Sequence, residues 1–477
     1  MTLARISSFA FSGIEAVPVE VQVQISSGLP AFLIVGLPDK AVGEARERVR
    51  AALTAMGLSL PPKRILINLA PADLQKEGSH FDLPIALCVL AAMGILPQDE
   101  VAGYAALGEL SLDGGVNPVA GVLPAALAAS AHDLGLICPA AQGGEAAWAG
   151  RIEVLAAPSL LAVINHFRGT QVLAPPAPTA PADAPPGPDL ADVRGMETAK
   201  RALEIAAAGA HNLMLVGPPG AGKSMLAARL AHLLPDLTPA DALEVSMIHS
   251  VAGLLDGGRL VMRPPFREPH HGASQAALTG GGCKFYQSSG FDRGRLDSPG
   301  LLRQEASLAG GGVLFMNHAE RFGAGLLDEL GIVLREAGPR TPVLAVLAAT
   351  SDGPLPPGLT GFARRNVDLV VRLPRPDHGR LRNLPSGEPT AAVAARVRAA
   401  RARRAVRGPA GSRSLSGPAA ARMRECVARL RIDGAGAATA ARVATTISFL
   451  AGAADIEPGH VDEALWMRLR PGASALA

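Results

Sequence analysis

Aromatic side chains are scarce in this 477-residue chain, at 3% of positions with two tryptophans and two tyrosines, so its cores must be aliphatic. A surplus of either charge is also missing. Lysine and arginine number 45 against 42 acids, and the net charge of +3 makes no case for a nucleic-acid partner by itself. Cysteine is rare too. Cys88, Cys138, Cys283 and Cys426 lie far apart and form no C-x-x-C pair, which argues against a zinc site or a disulfide framework and fits a reducing compartment. Long apolar runs are absent: the longest, Phe81 to Pro97, contains Asp82 and two prolines and is too short to span a bilayer. Met1-Thr2-Leu3-Ala4-Arg5 opens no apolar stretch of signal-peptide length. The expectation is a soluble, cytoplasmic protein with no membrane partner.

What is present is a 48% hydrophobic composition and enough length for two or three domains. One stretch is basic: Arg396, Arg398, Arg401, Arg403, Arg404 and Arg407. It reads either as a solvated helix face or as an edge that binds a polyanion. The segment 174–188, APPAPTAPADAPPGP, is nearly half proline. Such a stretch has too few backbone donors to pack, and it marks a semi-rigid linker. It divides an N-terminal domain, 1–173, from a nucleotide-related core, 189–385, and a helical segment, 386–477.

Before the linker, strand and helix patterns alternate. Val19–Ile25 alternates apolar and polar residues, Asp39–Met56 interleaves charges with alanine and valine, Arg64–Leu69 is a short strand and Phe81–Met93 a buried helix. After it, a helix over Glu197–Ala208 precedes a strand, Leu213–Val216, and a helix over Ser224–Leu234. Val313–Met316 and Val343–Ala348 are further strands of the same sheet. Beyond Pro385 the pattern is helical throughout: Thr390–Val406, Pro418–Leu430, Ala437–Ala451 and Pro458–Leu469. The fold class is therefore α/β, in two parts, with a helical C-terminus.

The sharpest motif is Gly217-Pro218-Pro219-Gly220-Ala221-Gly222-Lys223-Ser224, a G-x-x-x-x-G-K-[ST] loop between an apolar strand and an amphipathic helix. Its backbone N–H groups and the helix N-terminus suit phosphates. Lys223 suits the β- and γ-phosphates of ATP, and Ser224 is the candidate ligand of Mg²⁺. At the end of the strand Val313–Met316 such a site places acids for the metal and the attacking water, yet the chain has Asn317-His318. Asparagine is a neutral, weaker ligand for a hard cation. Glu320 follows two residues later and Asp328-Glu329 falls in a later helix, so sequence distance puts neither at the strand tip.

These residues sit in a wider pattern. The stretch 190–252 around the loop, Phe266-Arg267-Glu268-Pro269-His270-His271 and Glu305-Ala306-Ser307-Leu308-Ala309 resemble the magnesium-chelatase-like AAA+ ATPases of the ComM or YifB type. So do Gly36-Leu37-Pro38-Asp39-Lys40-Ala41-Val42, Glu44-Ala45-Arg46-Glu47-Arg48-Val49-Arg50 and Lys76-Glu77-Gly78-Ser79-His80-Phe81-Asp82-Leu83-Pro84 in the N-terminal half.

The resemblance implies a Lon-protease-like (S5-fold) N-terminal domain, a P-loop AAA+ core and a C-terminal helical lid. It implies ATP and Mg²⁺ as cofactors, a homo-oligomeric ring of six, and a motor acting on branched DNA in natural transformation. In a Lon-type peptidase a lysine activates the serine. Ser79 falls at the serine position and Leu123 at the lysine position, so proteolysis is not expected. The resemblance also places Ser351 where the family has a water-positioning asparagine, and Gly353-Pro354-Leu355-Pro356 where it has Cys-Pro-Cys-Gly. Asn366 falls at an arginine finger, with Arg364 and Arg365 adjacent, and Arg442 lies in the region of the lid arginine. With several hydrolysis positions altered and the loop intact, the expectation is an ATP-binding protein of impaired turnover. Alternatives are a pseudo-ATPase serving as a structural or regulatory subunit, perhaps beside an active paralogue, and, more weakly, a magnesium-chelatase subunit. His270-His271 reads as structural, and the insertion Cys283–Arg303 carries no assigned function.

Overall fold

A computed structural model describes residues 2–180, 187–270, 305–336, 342–351, 355–375, 384–406 and 415–469. Part of the proline-rich linker, His271, Arg407, the segment 352–354 and the insertion 283–303 lie outside them. The chain divides into two compact units. The first comprises the N-terminal part together with Ser246–Leu260, and the second the P-loop region and the C-terminal helices. No helix among the described residues is long and apolar enough to cross a membrane.

The first unit is built on a seven-stranded mixed sheet in the order β3-β4-β2-β1-β5-β8-β9. Its strands are β1 (Thr2–Ser12), β2 (Glu15–Ser26), β3 (Ala31–Val35), β4 (Arg64–Ala70), β5 (Tyr104–Ala106), β8 (Gly135–Pro139) and β9 (Val154–Ala157), with β6 (Glu109–Leu110) and β7 (Val116–Asn117) forming a small separate ladder. Along β2 the residues Val19, Val21 and Val23 are buried while their neighbours are half-exposed, the period of two that marks one covered face. The helix Lys40–Ala55 starts where the Asp39 carboxylate accepts the Val42 N–H at 2.7 Å, and it buries Val42, Ala45, Val49, Ala52 and Leu53. Every residue of the helix Asp82–Ala92 is buried, the charged Asp82 included. Arg48 reaches that carboxylate from the first helix with two bonds, Nε to Oδ2 at 2.5 Å and Nη2 to Oδ1 at 3.0 Å, and the Leu110 N–H adds a third. Burial, the largest influence, still holds the Asp82 carboxyl above its usual range.

Ser246–Leu260 belongs to this unit although the P-loop precedes it in sequence. It is the second half of the helix Pro239–Val251 with the turn that follows. The anchor is the buried Glu145, whose carboxylate accepts the Ser250 hydroxyl, the Leu123 N–H at 3.1 Å and the Gln142 amide at 3.1 Å. Trp148 adds an indole bond to the Gly258 carbonyl at 3.2 Å.

The second unit carries a five-stranded sheet, all parallel, in the order β11-β12-β13-β10-β14. These strands are β10 (Leu213–Gly217), β11 (Phe266–Arg267), β12 (Val313–Met316), β13 (Leu344–Thr350) and β14 (Leu369–Arg372). β10 and β12 are buried end to end, as expected of parallel strands covered on both faces. The helices Thr390–Val406, Gly417–Leu430, Gly434–Leu450 and Pro458–Leu469 share one core with the helix Glu197–Gly209 and with residues of β10 and β14. Gly434–Leu450 begins three residues before the apolar pattern, because the Asp433 carboxylate caps it through the Gly436 N–H at 2.7 Å.

Arg48→Ala leaves the Asp82 carboxylate buried without its cation. We expect a loss of about 3 kcal/mol or more in urea unfolding followed by circular dichroism, and a much smaller loss when both residues are replaced by apolar ones of similar volume.

Candidate nucleotide site

In a parallel sheet of this kind ligands gather at the carboxyl ends of the strands. β10 delivers the loop there. Gly220 (φ 76°) and Gly222 (φ 85°) occupy the left-handed region, which side chains disfavour, and Gly222 N-caps the helix Lys223–Leu230. Ala221 N–H closes the turn onto the Pro218 carbonyl at 3.3 Å. Lys223 is buried and folds over the loop, its Nζ donating to the Gly217 and Pro218 carbonyls at 2.8 and 2.9 Å. Ser224 is exposed in the first turn of that helix, with Pro219 and Gly220 exposed beside it. The loop therefore offers amide donors, a helix N-terminus and an ammonium held by weak carbonyl acceptors that an anion would replace.

The neighbouring strand ends complete the edge. Asn317, directly after β12, donates its amide to Glu268 Oε1 at 3.0 Å, and its own Oδ1 accepts the His318 N–H at 3.0 Å. Glu268 directly follows β11. His318 adopts a left-handed conformation (φ 55°) and opens the turn Ala319–Arg321. That turn brings Glu320 back to the sheet, where its Oε2 accepts the Thr350 N–H at 3.0 Å and its Oε1 lies 3.3 Å from His318 Nδ1. Counting residues along the chain misplaces Glu320; the reversal at His318 puts its carboxylate at the strand edge. Ser351 follows β13 and donates its N–H to the Gly217 carbonyl at 3.4 Å.

Ser224 suits a Mg²⁺ carried in on a triphosphate, which takes few protein ligands. Among the described residues no group of three or more His, Cys, Asp or Glu side chains is arranged to hold a metal.

Other expected positions fall elsewhere. Arg442 bonds Asp368 Oδ1 at 2.7 Å, and Asp368 precedes β14 and accepts the Asn212 N–H from the residue before β10. This is the amino end of both strands, opposite the loop. Asn366 gives its carbonyl to Asn212 there, while Arg365 pairs with Asp328 at 3.1 Å on the surface. The basic helix is largely spent on backbone. Arg401 Nε and Arg404 Nη1 donate to the Ala207 and Gly209 carbonyls, Arg403 Nη1 to Phe449, and Arg396 to Glu204 and Glu388. Arg401, Arg403 and Arg404 thus cap helix carboxyl ends, a role neither reading of the run foresaw. Ser79 gives its hydroxyl to Glu109, and Leu123 is buried. Cys88, Cys138 and Cys426 are buried free thiols.

The strand–loop–helix and the parallel order around it define a P-loop α/β core of the AAA+ class. Residues 21–142 match the family described as subunit ChlI of Mg-chelatase, and residues 189–337 the family described as magnesium chelatase, subunit ChlI. An uncharacterised protein of Mycobacterium tuberculosis is 44% identical over 338 residues, covering 70% of this chain and 64% of that protein. YifB of Escherichia coli, also uncharacterised, is 41% identical over 330 residues (69% and 62%), and the competence protein ComM of Haemophilus influenzae 40% identical over 335 (69% and 63%). The match thus spans a little under two thirds of each relative's length. The chain belongs to the magnesium-chelatase-like AAA+ proteins of the ComM/YifB type. Arg267, the last residue of β11, and Glu305 form a two-bond ion pair at 2.7 and 2.8 Å.

Burial alone would raise the Asp368 carboxyl, but His211 and Arg442 outweigh it and hold the group below its usual range. A depressed acid contributes stability that is complete above its unfolded value, near 3.9, and is lost as pH falls through the folded one. Asp368→Asn is therefore expected to melt lower at pH 7 and to lose less between pH 5 and 3, in thermal melts of both proteins.

Proposed function

We propose that this chain is an ATP-binding AAA+ protein of the ComM type whose hydrolysis is slow. The observation that carries the reading is one edge of one sheet: a complete phosphate loop, with Lys223 over its carbonyls, and, one strand away, β12 followed by Asn317-His318. Mg²⁺ bound with ATP would offset charge on the β- and γ-phosphates, with Ser224 as its ligand on this chain. Lys223 would bind the phosphates and the loop amides would orient them. The strand end contributes a neutral amide, Asn317, where the metal's acid is expected, and an imidazole, His318, where a carboxylate general base would add roughly 10²–10⁴-fold.

A homo-oligomeric ring, six-membered by resemblance, and DNA as its track extend this reading. Arg364 and Arg365 are exposed at the opposite end of the sheet from the loop, so a phosphate they meet is not one held in this chain's own loop. DNA contact would have to use surfaces other than Arg396, Arg401, Arg403 and Arg404, which have partners within their own unit. The N-terminal domain, Lon-like by resemblance, would serve as a docking or oligomerisation module and the C-terminal helices as a lid. A second reading, favoured by the neutral Asn317, is a nucleotide-holding subunit that partners an active paralogue.

Titration with a fluorescent ATP analogue should show saturable binding that Lys223→Ala weakens at least about tenfold, the loss of a charge-assisted contact. Steady-state phosphate release should be slow and abolished in the same variant. Absence of binding in the unaltered protein contradicts the proposal, and fast turnover contradicts its second half.

A further inference from the structure

The strand end lacks an acid, but the edge does not. Thr350, the last residue of β13, pairs in register with Gly217, where the phosphate loop begins. Ser351 N–H turns toward Gly217, so the Thr350 N–H one residue earlier faces the opposite neighbour, the side of β12. β12 has already ended, its last residue Met316 pairing with Leu347. The open lane beyond it runs on for three residues, roughly 10 Å, and the Glu320 carboxylate occupies it, bonded to Thr350 at 3.0 Å. Glu320 therefore stands level with the start of the loop, separated from β10 by one strand. Glu268 stands in the β11 lane, one strand further from the loop, and the register sets it level with the start of β10 rather than its end. The Glu320 carboxylate is aimed by two groups: the Thr350 amide fixes Oε2, and Oε1 lies against the His318 ring.

We infer that Glu320 is the catalytic carboxylate of this chain, displaced from the strand end to the turn after it, and that its residual ATP hydrolysis runs through this group. The inference rests on the ATP-binding reading above. The water oxygen forms a bond to the γ-phosphorus. The bond from that phosphorus to the β,γ-bridging oxygen breaks, and its electron pair leaves with ADP. The proton of the water passes to Glu320, which returns it to solvent as phosphate departs. His318 is a positioning residue for the carboxylate.

The test is single-turnover hydrolysis of γ-labelled ATP, with binding measured in parallel, on the full chain and on Glu320→Gln, Glu320→Asp and Glu268→Gln. Glutamine keeps an acceptor for the Thr350 N–H, so a purely structural role leaves the rate unchanged. The inference expects Glu320→Gln to lower the rate at least about a hundredfold with ATP affinity within about threefold, and Glu320→Asp to recover part of the loss. It is overturned by a wild-type protein that binds ATP without hydrolysing it, by an unchanged rate in Glu320→Gln, or by a loss that follows Glu268→Gln instead. A wild-type protein that does not bind ATP overturns the underlying reading as well. Circular dichroism melts of each variant separate a lost step from a lost fold.

Discussion

The constraint on which the P-loop core depends is the register of β10 against β13. Leu213 pairs with Val346 and Gly217 with Thr350, so the phosphate loop and the residues after β13 leave the sheet at one level. Parallel strands put all their carboxyl ends on that edge, and the loop's amides, Lys223, Asn317 and Glu320 converge there because the sheet admits no other exit. A slip of one residue would turn every side chain of these buried strands to the opposite face. Val216, Phe315 and Leu347 are fully enclosed, which forbids it.

The opposite edge does different work. His211, Asn212, Asp368, Arg442 and Arg468 tie the starts of β10 and β14 to the C-terminal helices, the last through a bond from Arg468 to the Val367 carbonyl at 2.7 Å. One end of the sheet thus holds the phosphate loop, and the other holds the helical segment to the core. The basic helix serves the same purpose, its guanidinium groups closing the carboxyl ends of Glu197–Gly209 and Gly434–Leu450.

Much of this was legible in the sequence, for physical reasons that differ from place to place. The loop was readable because glycine spacing, an apolar strand and an amphipathic helix must coincide for it to work. β12 was readable to the residue, since four buried apolar positions have no alternative partner. The long β1 was not, because Ser7, Ser8 and Ser12 dilute its alternation and its covering helix lies eighty residues away. The start of Gly434–Leu450 was missed because glycine and alanine hide a helix whose cap, Asp433, carries the signal. The placement of Ser246–Leu260 in the first unit depends on Glu145, a single buried acid a hundred residues upstream, and no local pattern announces it. Glu320 was misjudged for a related reason. Its position depends on the left-handed turn at His318, an uncommon conformation for a non-glycine residue, and that reversal has no sequence signature.

The central claim is that the edge at Gly217 and Thr350 holds ATP and cleaves it slowly through a carboxylate outside the strand end. The most direct measurement is a structure of the full chain after hours with Mg²⁺ and ATP. The account predicts a largely intact triphosphate in the loop at 217–224, Lys223 moved from the Gly217 carbonyl onto the phosphates, and Glu320 within one water of the γ-phosphate. An empty loop, or a γ-phosphate with Glu320 beyond the reach of a bridging water, would contradict it.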